Sequence, residues 1–331
     1  MLHVEPDQAR YFRALRGGLL GGQEGESPIA ELALVARAMV GVQAQQVGPA
    51  AFGLCLRSPG HPTAQDIKTA LYQDGAKPLV RTWGQRETLH IYAPEDWPLV
   101  VAARALWAPA GRRGMMPAAH HLAAAKERVE AADRPVTRGD LFEILASDFL
   151  NEVRRHIDKN AKLLFKNEPT EMQLQESTRR FAAGRLLWCL SNEGVVCAAD
   201  KVGQEQSYAP RSLWFADLPW QLPDADAANV ALTRRYLAVA APATAQDIGH
   251  FFGARISDVR RWLATLAPET VAVDCGGRKG LLALKVDADT LRSPPGEWPL
   301  RLLPMWDGMM MTHADKTWTV PDLNEHKLIW R

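Results

Sequence analysis

Met39-Val-Gly-Val-Gln-Ala-Gln-Gln-Val-Gly-Pro49 joins two apolar stretches and carries three glutamines in four positions. The run before it, Ile29 to Val40, has helical spacing. Gly48-Pro49 after it suits the end of one element and the first turn of the next. Gln43 and Gln45 are two residues apart, so on a helix they would diverge by about 200°. They project together only from extended backbone. A pair of amides held that way can grip one water or one base edge. The alternative is a solvated polar loop between two helices.

Working outward, Asp7 to Leu20 reads as an entry helix ending in paired glycines, and Ser27-Pro28 opens the next helix with proline in its first turn. Pro49 to Leu56 is a third short helix. Thr63-Ala-Gln-Asp66 is a capping box, opening a helix that runs to Tyr72. Leu79 to Trp83 and Thr88 to Tyr92 then form a hairpin around Gly84-Gln-Arg-Glu87. Helices followed by a hairpin is the order of a winged helix. The T-x-x-D box returns at Thr137-Asp140 and Thr244-Asp247, each ahead of a strand pair: Val195–Ala199 with Glu205–Ala209, then Thr270–Asp274 with Leu281–Val286. These predict three copies of one topology, the middle one carrying a charged insertion from Asn151 to Glu176. Leu300 to Asp307, Thr317 to Val320 and the apolar end Leu328–Arg331 read as strands. The expected fold is α+β and mainly helical, with three tandem winged-helix modules and a C-terminal β region. Its segments are 1–100, 101–222 (with the insertion), 223–293 and 294–331.

The 331 residues carry a formal net charge of +1, with 47% hydrophobic and 23% charged residues, so there is no global basic field. Any nucleic-acid contact must come from local concentration of charge. The four cysteines lack C-x-x-C spacing and read as buried thiols. With no apolar run of ~18 residues and no signal pattern, no membrane is expected, and the expected compartment is the cytoplasm. His120-His121, His250, His313 and His326 lack metal-ligand spacing, and no phosphate-binding loop or serine-nucleophile motif occurs.

The hairpin Arg81-Thr-Trp-Gly-Gln-Arg-Glu-Thr-Leu-His90 resembles the R-T-W-x-x-R-G-T-L-H of the AlkZ/YcaQ winged-helix DNA glycosylases. Tyr236-Leu with Pro242-Ala-Thr-x-x-Asp247 and Leu302-Leu-Pro-Met-Trp-Asp307 resemble further motifs of that family, from about Ala30 to the end. Gln43-Ala-Gln45 resembles the catalytic Q-x-Q of its AlkZ-like branch. Glu87 stands where the family has Gly, Trp306 where it has Phe, and the family's β region extends beyond Arg331. The resemblance implies a monofunctional, cofactor-free and metal-free glycosylase, monomeric and nucleoid-associated. It would excise bulky or crosslinking N7-alkylated purines from duplex DNA, with Gln43 and Gln45 catalytic. Arg81, Arg86, His90, Arg112, Arg113, Arg278 and Lys279 are the expected DNA contacts. The competing expectation is a non-catalytic winged-helix DNA-binding protein, such as a transcriptional regulator. That would need a base-reading helix, for which Ile256 to Leu266 offers Arg260 and Arg261.

Overall fold

A computed structural model describes residues 1–22, 24–73, 77–107 and 116–329. The chain is α+β and mainly helical, with three small sheets. It divides into two compact units, Met1–Ala108 with Pro219–Arg331, and Pro109–Leu218.

The first unit opens with strand β1 (Leu2–His3) and helix α1 (Pro6–Arg16). Helix α2 (Pro28–Ala38) is started by Ser27, whose hydroxyl accepts from the amide of Ala30. Next come β2 (Val42–Gln43), α3 (Val47–Cys55) and α4 (Ala64–Tyr72). The Thr63–Asp66 capping box that opens α4 is complete in both directions. Strands β3 (Val80–Trp83) and β4 (Leu89–Tyr92) make the hairpin, and α5 (Trp97–Arg104) follows. The sheet has three strands, in the order β2-β4-β3, because the residues around Gln43 pair antiparallel with β4.

The second unit contains α6 (Ala119–Glu130), α7 (Ser147–Lys159), the short α8 (Ala161–Leu164) and the long α9 (Glu171–Asn192). A hairpin of β5 (Val196–Val202) and β6 (Glu205–Pro210) leads to the single turn α10 (Arg211–Trp214). Leu141, Phe149, Val153, Leu186 and Leu190 are central to its own hydrophobic core. The Thr137–Asp140 box is formed, but it opens the 3-10 stretch Gly139–Ile144 rather than an α-helix. The expected insertion is the second half of α7, α8 and the start of α9.

The chain then returns to the first unit with α11 (Ala225–Ala240), α12 (Ala245–Phe252) and α13 (Ile256–Thr265). Asn229 on α11 accepts from the Trp107 indole at 2.7 Å and donates to the Ala103 carbonyl at 3.0 Å, fastening α11 to the end of α5. Strands β7 (Thr270–Cys275) and β8 (Arg278–Leu284) form the third hairpin. The N-terminal β1 adds to its edge, parallel to β7, with Leu2 opposite Val273 and His3 opposite Asp274. Leu2, Val4, Phe12, Val273, Leu281 and Trp318 pack beneath it.

After α14 (Ala288–Arg292) the chain departs from expectation. Residues 300–307 are irregular and lead into a helical turn, α15 (Gly308–Met311); Lys316–Trp318 is a 3-10 turn and His326–Ile329 another helical turn. A strand needs a ladder partner, and no described strand borders this segment. Leu300 and Leu302 stand 90% and 73% exposed, and Pro304 has no N–H to give. Instead Asp307 caps α15, accepting from the Met309 amide at 2.9 Å. Trp330 and Arg331 lie outside the described residues.

Candidate active site

The site begins with a sharp exit from α2. Val40 and Gly41 take φ of 57° and 93°, the left-handed region that favours glycine. A Cβ on Gly41 would overlap the ring of Tyr92. Gln85, 1% exposed, donates to the Val40 carbonyl and accepts from the Tyr92 hydroxyl, so one buried amide brackets the turn to the hairpin. The chain leaves extended: Gln43 lies opposite His90, and the Ala44 amide donates to the Leu89 carbonyl at 2.7 Å. Ala44 is fully buried on one side of this pleat, so Gln43, half-buried, and Gln45, exposed, project from the other.

Both glutamine oxygens are held. Gln43 Oε1 accepts from Arg86 Nη2 at 2.9 Å, and Gln45 Oε1 accepts from the Leu89 amide at 2.9 Å. An amide oxygen accepts twice, so each keeps one lone pair. Arg86 has φ 52°, and its other arm donates to the Phe251 carbonyl at 2.7 Å. Its guanidinium carbon stands 5.8 Å from the centre of the Phe251 ring. Burial lowers its pKa from the usual arginine value. Gly253, with φ 74° at the end of α12, lets this backbone come close, since a Cβ there would sit 3.4 Å from Arg86 Cα.

These contacts revise the hairpin's expected role. Arg81 is 5% exposed and donates inward, to the carbonyls of Ala44 at 2.9 Å and Gln45 at 3.2 Å. His90 is 2% exposed, with Nδ1 at 3.0 Å from the Thr88 carbonyl. Burial, reinforced by the charge of Arg86, pushes its pKa down to about 3, so the ring is neutral. Arg81, Arg86 and His90 are therefore not outward DNA contacts. Covered by β2 and α12, they brace the glutamine link. Sequence reading missed this because Arg and His beside a turn look like a charged tip, and a two-residue strand leaves no alternation to reveal its pairing. Arg278, also an expected contact, pairs with Asp315, donates to Thr317 Oγ1 at 2.7 Å and lies over the Trp318 ring at 4.2 Å. Lys279 beside it is exposed. Arg112 and Arg113 fall outside the described residues.

Gln43, Arg86 and His90 line one side of a cleft that encloses about 480 Å³, open space at its mouth included. Met39, Phe251 and Met311 supply apolar wall. Opposite is a buried ion pair: Arg57 Nη2 meets Asp307 Oδ1 at 2.8 Å, both side chains 2% exposed. Arg57 also donates to the carbonyls of Gly17 at 2.7 Å and Gly53 at 3.0 Å. Neither the Arg57–Asp307 pair nor Gln85 was singled out from sequence for this site. The only cue was a charged residue within an otherwise apolar motif, Leu302–Asp307. In the second unit His120, His121 and Asp148 have ligand atoms within 4.8 Å of one another, a convergence that residue spacing does not reveal. No described helix is long and apolar enough to cross a membrane.

A family model described as "DNA glycosylase AlkZ-like" matches residues 36–331. Among solved structures, the chain is similar to the Streptomyces sahachiroi DNA glycosylase AlkZ. The TM-score is 0.64 and the identity 21%, over 89% of this chain and 74% of that one. No curated protein sequence matches.

Proposed function

This chain belongs to the AlkZ-like DNA glycosylase family, and from that premise we propose that it excises N7-alkylated purines, bulky or crosslinking ones included, from duplex DNA by hydrolysing the N-glycosidic bond. The observation that carries the reading is the extended link at Gln43–Gln45, which holds two neutral amides on one side of the backbone, beside an open cleft. Glycosidic cleavage passes through an oxocarbenium-like state, and most such enzymes supply an acid and a base. An N7-alkylated purine is already cationic and departs without an acid. What remains is to hold a water at the anomeric carbon and to ease the charge developing there. The remaining lone pair on each glutamine oxygen suits both tasks. Arg86 and the Leu89 amide fix each amide in advance, so positioning and preorganised polarity carry the rate.

In this reading the three helix-then-hairpin segments are tandem winged helices, and the protein acts as a monomer without cofactor. The regulator alternative gains little support. Arg261 on α13 is spent on Asp226 and Asp258, at 2.7 and 2.9 Å, leaving Arg260 as the base-reading cation of that helix.

The test is single-turnover excision from a duplex carrying one N7-methylguanine, with alkali cleavage of the abasic product. Gln43→Ala and Gln45→Ala should each slow it by roughly 10²–10³-fold, the usual loss for one preorganised polar group. Undiminished excision by both variants removes the glutamines from the mechanism.

A further inference from the structure

The cleft has a second wall that the glutamine chemistry leaves unused, where Met305-Trp306-Asp307 turns into α15. Two features of this turn exceed what turning requires. Trp306 adopts φ 62°, a conformation that is strained for a bulky aromatic and ordinary for Gly or Asn. Asp307, 5% exposed, uses Oδ1 twice, for Arg57 and for the Met309 amide. Its Oδ2 accepts no hydrogen bond among the described residues, yet Asp307 lines the cleft. Gly53 keeps that oxygen uncovered, since a Cβ there would sit 3.8 Å from it. An acceptor so deeply placed and left without a donor is costly, and in a cleft it marks where a ligand donates. Strain and an open acceptor thus fall on adjacent residues facing one space.

We infer that Trp306 and Asp307 form the base-holding side of the cleft: the indole takes the face of an extruded purine, and Asp307 Oδ2 accepts from the N–H edge of guanine. The inference rests on the glycosylase reading and names its substrate class. Guanine presents two adjacent donors, N1–H and the N2 amino group. Adenine presents a bare N1 lone pair at the same place, which would face the carboxylate oxygen unfavourably. A cationic N7-alkylated base also gains from an indole face. Met39, Met305 and Met311 around the cleft are unbranched and repack easily around a bound ring.

Equilibrium dialysis of the full chain against free 7-methylguanine and 7-methyladenine tests the inference, run beside the excision assay. Wild type should bind the guanine base at least tenfold more tightly. Asp307→Asn keeps an oxygen for Arg57 and Met309 but turns Oδ2 into a donor; it should abolish that preference and change 7-methyladenine binding less than twofold. Gly53→Ala leaves the ion pair intact and should blunt the preference by covering Oδ2. It decides the matter should Asp307→Asn not fold. Trp306→Gly, free of strain at that φ, should weaken both bases about equally, by tenfold or more. Equal binding of the two bases by wild type, or a preference untouched in Asp307→Asn and Gly53→Ala, overturns the inference. Preferential binding without any excision would instead overturn the glycosylase reading and leave the base site standing.

Discussion

Arg86 holds the Gln43 oxygen with one arm and the Phe251 carbonyl with the other, so a single guanidinium ties the glutamine link to the end of α12. A lysine has one point charge and cannot hold both in the same fixed geometry. Arg86→Lys should therefore slow excision about tenfold or more in single turnover while duplex affinity stays within twofold, because Arg86 is turned inward. Parallel loss of affinity would return it to the DNA contacts. Gln85→Ala strands the Val40 carbonyl and the Tyr92 hydroxyl, both buried. It should lower unfolding free energy by about 1–3 kcal/mol in a denaturant titration. The glutamine spacing was legible in the sequence, since an i, i+2 pair with a shared purpose demands extended backbone. The roles of Arg81 and His90 were not, because residue type says nothing of which face a neighbouring strand will cover.

At the scale of elements, start signals were the most legible feature. Ser27-Pro28, Thr63–Asp66 and Thr244–Asp247 each open the helix they predict, since the cap is a local arrangement needing no distant partner. Strands depend on partners elsewhere in the chain, and there the reading divides. The three hairpins were visible because each brings its own partner. Val42–Gln43 was not, and the runs at 300–307 and 317–320 were given strands that do not form. Gly41 tests how much the hidden strand matters. Ala at φ 93° is strained, and its methyl would enter the Tyr92 ring, so two unfavourable effects add. Gly41→Ala should cost about 2–4 kcal/mol in a urea titration and disrupt the exit of α2. A loss under 0.5 kcal/mol would mean that the link bends elsewhere.

Across the whole molecule, two histidines are buried in neutral form. Burial lowers His90 to about 3, and burial with the charge of Arg13 takes His313 well below its usual 6.5. Below pH 6.5 the unfolded chain takes up protons that the folded chain refuses at both sites. Stability should therefore rise with pH through this range and fall on acidification, by at most about 1.4 kcal/mol per pH unit for each histidine. Aspartates with lowered values, such as Asp140 at about 2, act mainly below pH 4, so urea midpoints between pH 4.5 and 6.5 isolate the histidines. His90→Phe should flatten the slope by its share; an unchanged slope would show His90 protonating freely in the folded protein. The threefold recurrence was visible along the sequence, but the division into two units was not. Nothing in residue order reveals that residues 1–108 and 219–331 share a body.

The pairing of β1 with β7 sets a timetable for synthesis. Leu2 and His3 leave the ribosome first, yet the edge they join at Val273 and Asp274 is translated some 270 residues later. Residues 109–218, with a core of their own, are by then complete and free to fold as they emerge. Nascent chains stalled near residue 250 should accordingly yield to protease at the amino-terminal arm while the segment from α6 to β6 resists, and release of the finished polypeptide should close off the arm.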